Sequence, residues 1–166
     1  TIYFDGWLFR NPVGIQKYKE KILEYFKPRP DIDDQIKTRI KKLRSEFKTV
    51  VGVHIRQGDY RAWRGGAYWI PQPRVREIMD EYLHTAGKDA AETCFVITSD
   101  GAVDTSLLDG LHAYISKENA VCDLFLLSKT EVVIGSNSTF GAFASYYGNI
   151  PHIVMTKEPM DWNYYK

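Results

Sequence analysis

V-V-G-V-H-I-R-Q-G-D-Y, residues 50–60, begins as a short apolar run and ends in polar groups. An apolar run of this length, bounded by turn residues, fits a strand buried on both faces of a parallel sheet. Side chains alternate along a strand, so Val51, Val53 and Ile55 share one face while His54 and Arg56 share the other. Gly58 permits a turn that a residue with a Cβ resists. A guanidinium fixed where a strand ends suits a phosphate or carboxylate, which it grips with two parallel hydrogen bonds. The competing reading is an Arg56–Asp59 ion pair that pins a loop, with His54 as a satisfied core histidine. Other polar groups converging on the same sheet edge would favour the first reading.

A chain of 166 residues suits a single domain. With 44% apolar and 14% aromatic residues it is not disordered, and no long uncharged apolar run is present to span a membrane. A net charge of +1 points to neither nucleic acid nor membrane partners. The charge is uneven: residues 1–49 hold 12 Lys and Arg against 7 Asp and Glu, and residues 50–166 hold 10 against 14. The simplest reading of the basic part is the solvated exterior of helices. Cys94 and Cys122 lie in apolar segments, which fits buried free thiols. With no signal or transit peptide visible, a cytoplasmic location is the expectation, and the missing Met at Thr1 suggests a fragment.

Residues 1–14 read as an opening loop. Ile15, Tyr18, Ile22 and Phe26 recur at helical spacing and Lys27-Pro28-Arg29-Pro30 stops that helix. Asp31 or Asp33 would cap a second helix, whose stripe is Ile32, Ile36, Ile40, Leu43 and Phe47. Both stripes are expected to pack on the sheet, so residues 1–48 form a lead-in and residues 49–166 the main α/β unit. Residues 61–73 form a long aromatic loop, and a helix from about Pro73 buries Val75, Ile78, Met79, Tyr82 and Leu83 until Gly87. Residues 94–98 are the next strand, residues 113–115 a short one. Asn119 caps an apolar helix over 120–129 in which Asp123 is the odd polar residue. Strands over 131–134 and 151–155 flank a helix closed by Gly148. Strands alternating with helices imply a parallel, doubly wound sheet, where ligands bind outside the carboxyl ends of the strands. Three strands end in polar sets: His54/Arg56/Asp59, Ser99/Asp100, and residues 136–139.

Gly135-Ser136-Asn137-Ser138-Thr139 enters a helix, so backbone N–H groups and hydroxyls would face an anion such as a diphosphate also held by Arg56. Ordinary capping by Ser138 or Ser136 explains the same residues as well. No G-K-[ST] follows, which excludes a Walker A loop, and no G-x-S-x-G is present. Asn137-Ser138-Thr139 is formally a glycosylation sequon. Asp100 and Asp123 suit a base N–H or ribose hydroxyl, or else a cap or surface role. His84, His112 and His152 show no metal spacing.

H-I-R-Q-G-D-Y, then F-V-I-T-S-D, then D-L-F-L-L-S-K-T-E-V-V-I-G-S-N-S-T-F together resemble the three ordered motifs of the α1,2-, α1,6- and O-fucosyltransferase superfamily, nearest its bacterial-type α1,2 members. The resemblance covers about residues 50–155. It implies the Rossmann-like, C-terminal half of a GT-B glycosyltransferase, with helices on both faces of a parallel sheet. It also implies GDP-fucose as donor, no metal or other cofactor, and inverting transfer to a glycan hydroxyl. By the resemblance, Arg56 is the catalytic group, holding the pyrophosphate and neutralising departing GDP. His54 and Asp123 contact guanine, and Asp100 the ribose or base. Ser138 and Thr139 hold the β-phosphate, with Asp59, Ser99 and Asn137 completing the donor site. The alternatives are a non-catalytic nucleotide-sugar module, or a GT-B enzyme using another nucleotide sugar.

Two departures accompany this resemblance. The family commonly places a second Arg where this chain has Gln57, which would remove a charge beside the pyrophosphate. A GT-B enzyme has two Rossmann-like domains and this chain has room for one, so the glycan acceptor would be bound mainly by an N-terminal domain outside it. Asp59 and Glu118 are the nearby carboxylates, and neither is assigned as the base.

Overall fold

The computed structural model describes residues 11–165. Its centre is a five-stranded parallel sheet, β1 (Thr49–Ile55), β2 (Thr93–Ser99), β3 (His112–Ile115), β4 (Val133–Gly135) and β5 (His152–Val154), in the order β3-β2-β1-β4-β5. β1 is central and pairs along its whole length with β2, from Thr49 opposite Thr93 to Ile55 opposite Ser99. The chain therefore grows outward from β1 to one side, then returns to build β4 and β5 on the other. The carboxyl end of β1 sits where the order reverses, which is where such sheets bind ligands.

Each face of the sheet is covered, as the apolar run of β1 requires. On one face, Val51, Val53, Ile55, Phe95 and Ile97 pack against Val75, Ile78, Met79, Tyr82 and Leu83 of α4 (Gln72–Thr85). Each fully buried aliphatic chain there is worth about 1.5–3 kcal/mol. On the other, Val50, Cys94 and Val96 meet Ile36, Ile40 and Leu43 of α3 (Pro30–Glu46) and Phe125 and Leu126 of α5 (Ala120–Leu127). α6 (Thr139–Gly148) completes this layer beside α5 and β4, where Leu127, Val133 and Ala144 meet. Gly52 makes the close packing possible, because a Cβ there would stand 2.8 Å from Thr130 Oγ1 and 2.9 Å from a Leu127 methyl.

Several local expectations change. Asn11 caps α1 (Pro12–Lys17) through its side chain, and Tyr18 separates it from α2 (Lys19–Tyr25), so residues 11–14 open a helix and the 15–26 stripe is broken in two. The opening loop over residues 1–10 lies outside the described residues. Ile15, Tyr18 and Phe26 are exposed, and these helices lie along α6 instead of on the sheet. There the Phe26 and Phe143 rings are 5.3 Å apart and the Tyr146 hydroxyl donates to the Ile15 carbonyl. Neither Asp31 nor Asp33 caps α3; Pro30 opens it after Arg29, and both carboxylates sit in the first turn, favourable to the helix dipole. α6 ends at Gly148 with Asn149 as the left-handed cap, φ 53°. Cys94 and Cys122 are buried free thiols, and burial pushes the Cys94 pKa up to about 11. Among the described residues no helix is long and apolar enough to cross a membrane.

Candidate active site at the carboxyl edge of the sheet

β1 and β2 deliver their polar ends side by side, because Ile55 and Ser99 are register partners. Asp100, just past β2, turns back over the loop that follows β1. Its Oδ1 accepts the backbone N–H groups of Gln57 at 2.6 Å and Gly58 at 3.1 Å, and its Oδ2 lies 3.2 Å from Arg56 Nε. Burial works to raise the Asp100 pKa, but those two N–H groups and the guanidinium outweigh it and hold the carboxyl below its ordinary value. Gly58 has an ordinary negative φ of −47°, so its role is one of space: a Cβ there would stand 2.9 Å from Asp100 Oδ2. The Ser99 hydroxyl accepts from the Gly101 N–H and steadies the β2 turn.

Arg56 is gripped through Nε alone. Asp59 Oδ1 accepts from it at 2.9 Å and Asp100 Oδ2 lies beyond, while its Cζ sits 5.6 Å from the Tyr60 ring centroid. Hydrogen bonding to Asp59 is the main reason its pKa is raised. Neither Nη group has a protein acceptor among the described residues, and the side chain keeps 37% of its surface open. The backbone joins the two halves of the rim. Ser136 Oγ accepts from the Arg56 N–H at 3.0 Å, and the Tyr60 hydroxyl donates to the Asn137 carbonyl at 2.8 Å. The loop before α6 is thereby tied to the strand end bearing Arg56.

That loop supplies donors. Ser138 is the N-cap residue of α6, yet its hydroxyl makes no cap bond; Oγ is buried and unpartnered. Thr139 begins the helix, exposed, beside the first-turn amides that no helix bonds internally. Asn137 is exposed and contributes its carbonyl to Tyr60. Arg56, Asp59, Ser99 and Asp100 are thus brought together, with Asn137, Ser138 and Thr139 across from them. A cation with two open donor groups and an uncapped helix start is an arrangement that takes an anion with several oxygens.

A model of glycosyl transferase family 11 matches residues 14–162. The chain belongs to that family. No curated protein sequence matches it. Among solved structures, POFUT1 in complex with GDP-fucose, in two crystal forms, superposes with TM-scores of 0.60 and 0.58 at 14% identity. These matches cover 75% and 78% of this chain and 46% and 47% of POFUT1. The fucosyltransferase NodZ from Bradyrhizobium aligns with a TM-score of 0.44 at 15% identity, over 82% of this chain and 60% of NodZ. The chain spans about half the length of the POFUT1 chains it matches. The three ordered motifs and the family 11 match agree on the fucosyltransferase superfamily, and the parallel sheet is the Rossmann-like fold of GT-B structures.

Two residues of the family 11 domain stand apart from the rim. His54 is 4% exposed, its ring 4.7 Å from that of Phe140, Nδ1 3.3 Å from Thr98 Oγ1 and Nε2 buried without a partner. Burial lowers its pKa to about 4; Asp100 opposes the shift, and Arg56 and His152 add to it. The neutral ring is therefore a core group beneath the site, covered by α6. Asp123 is also buried, held by the Ser116 hydroxyl where the chain leaves β3, and burial raises its pKa. Through Ser116 it lies by the end of β3, the strand next to β2, and among the described residues it makes no hydrogen bond to the Arg56–Asp100 cluster.

The reading of Gln57 as a charge missing from the pyrophosphate side is corrected. Its side chain turns inward, 3% exposed, donating to the Ile70 carbonyl and accepting from Trp69 Nε1. Alternation along the strand sends position 57 away from the face that Arg56 occupies. Gln57 holds the following loop. Tyr60 goes unassigned in the sequence, and Ser136 reads there as a cap or an anion-facing hydroxyl; their hydroxyls instead knit the rim.

Proposed function

We propose that this domain binds GDP-fucose and presents it for metal-independent, inverting fucosyl transfer to a glycan hydroxyl. The observation that carries this reading is Arg56, fixed through Nε by Asp59 and Asp100 with both Nη groups left without a protein acceptor among the described residues, on a strand end whose backbone is tied to the loop before α6. Loss of a nucleoside diphosphate leaves developing negative charge. A pre-positioned guanidinium and a helix N-terminus stabilise that charge without reorganising, which lowers the barrier to departure. Arg56 takes the pyrophosphate on its Nη groups, and the Thr139 side and first-turn amides of α6 take the β-phosphate. In this reading Asp123, on the β3 side, takes the base end of the donor, its release from Ser116 freeing an acceptor for a ring N–H.

Asp59 gives Oδ1 to Arg56, and neither it nor Glu118 is assigned as the base. The attacking hydroxyl is the glycan's own, and the group that deprotonates it belongs to the part of the enzyme that completes the cleft. Support for that division comes from the span of the match, about half of each POFUT1 chain. The test is a thermal-shift series. GDP and GDP-fucose at about 100 times Kd stabilise the domain by about 2.7 kcal/mol, and UDP- and ADP-sugars far less. Equal shifts with all three nucleotides overturn the guanine assignment. The domain alone transfers no fucose to lactose, and turnover by it would contradict the assignment of the acceptor half to another domain.

A further inference from the structure

The loop after β1 folds into an aromatic surface that the donor reading leaves unused. Tyr60 and Trp63 stack with centroids 5.5 Å apart and planes 23° from parallel, and Tyr68 closes on both at 6.2 and 5.1 Å. Trp63 is 46% exposed. An exposed tryptophan in a loop is unremarkable alone, but this loop is held at several points. The Tyr60 hydroxyl is bonded to Asn137, Trp69 Nε1 to Gln57, and the Gly66 carbonyl to Lys157 Nζ at 2.7 Å. Arg64 and Gly65 are both left-handed, φ 48° and 65°, and this reversal brings Tyr68 back over Trp63. A bulky residue in that conformation costs on the order of 1 kcal/mol or more and persists only where its surroundings enforce it. Arg64 in turn places its Cζ 5.2 Å from the Trp63 ring centroid.

The platform begins next to the site. Arg56 Cζ is 5.6 Å from the Tyr60 ring, and Trp63 is the next ring outward. It leans to the β4–β5 side, through Asn137 after β4 and Lys157 after β5, whereas Asp123 is tied to Ser116, just after β3, on the other side of β1. It therefore flanks the sugar end of a bound donor and not its base. We infer that Tyr60, Trp63 and Tyr68 form a stacking platform for a pyranose ring of the acceptor glycan, held against the donor sugar by this domain itself. A pyranose has a face of polarised C–H bonds and a rim of hydroxyls. The first suits the electron-rich faces of aromatic rings, and the second suits the guanidinium of Arg64 beside Trp63. The inference deepens the donor reading and rests on it.

Saturation-transfer NMR on the chain with saturating GDP tests it, using the methyl glycosides of glucose, galactose, N-acetylglucosamine and mannose as probes. At least one glycoside is expected to receive saturation, strongest on the ring protons of one face. Trp63→Ala should cut that signal at least about five-fold, and Trp63→Phe should keep most of it, since a ring face is retained. Calorimetry with GDP runs alongside. GDP binding without any glycoside signal, a signal indifferent to Trp63→Ala, or one displaced by guanosine would each overturn the platform while leaving the donor site standing. Failure of GDP itself to bind would remove the donor reading and the platform with it.

Discussion

Two arginines separate what the fold uses from what it leaves open. Arg74, in the first turns of α4, is engaged on every nitrogen: Nη1 donates to Glu77 and Glu81, Nε to the Thr156 carbonyl and Nη2 to the Glu158 carbonyl. Its side chain keeps only 14% of its surface exposed. It fastens the segment after β5 to α4, and Trp162 reinforces the joint by donating to Glu81. Arg56 has two carboxylates beside it yet uses only Nε, and its forked end stays open. A guanidinium whose donors are all engaged is a fastener. One held by its stem, with the fork directed away, is a receptor waiting for a matching anion.

Exchanging each arginine for alanine breaks the comparison most sharply. Arg56→Ala is expected to weaken GDP binding by at least about 300-fold, because a desolvated charge pair is lost outright. The unfolding midpoint should change little, since its exposed pair with Asp59 is worth at most about 1 kcal/mol. A midpoint that falls sharply with GDP affinity intact would make Arg56 a second Arg74. Arg74→Ala should give the reverse, a stability loss of about 2–3 kcal/mol in urea with GDP affinity nearly unchanged, because two carbonyls and Glu81 lose their donor. A loss under about 0.5 kcal/mol would show that the joint is not anchored there.

The smallest effect concerns the histidine beneath the receptor. His54 has a folded pKa of about 4 against about 6.5 unfolded, so the unfolded chain binds the proton first as pH falls. Its contribution is complete above pH about 6.5, and stability is lost between there and pH about 4. The loss is on the order of 2 kcal/mol by pH about 5. Urea titrations at neutral pH and at pH about 5 should show this decline, and His54→Leu should flatten it. An equal decline in both proteins would mean that the ring is not sealed under α6.

The order of elements was legible because buried parallel strands and amphipathic helices differ in period, and the polar residues at strand ends marked the edge that binds. Val75, Ile78, Met79, Tyr82 and Leu83 of α4 are buried as their spacing implies. What spacing does not carry is which partner a polar atom finds. Gln57 and Arg56 are neighbours in sequence, and only the pleat shows that one enters the core and the other the rim. Asp100 reads as a ligand group, yet most of its hydrogen-bonding capacity goes to Gln57, Gly58 and Arg56, which shape the site. For His54 the sequence left two readings open, a core histidine and a guanine contact, because nothing in residues 50–60 reveals that Phe140, far along the chain, will cover it. The α1–α2 stripe failed differently, since an apolar stripe shows that a helix needs cover without naming α6 as the cover.

A crystal structure of the chain with GDP tests the central claim most directly. The account predicts both Nη groups of Arg56 within about 3 Å of diphosphate oxygens, with the first-turn amides of α6 on the same diphosphate and the Asp59 and Asp100 contacts to Nε preserved. A diphosphate bound elsewhere, or an Arg56 fork that stays in solvent while GDP is held by other groups, would contradict it.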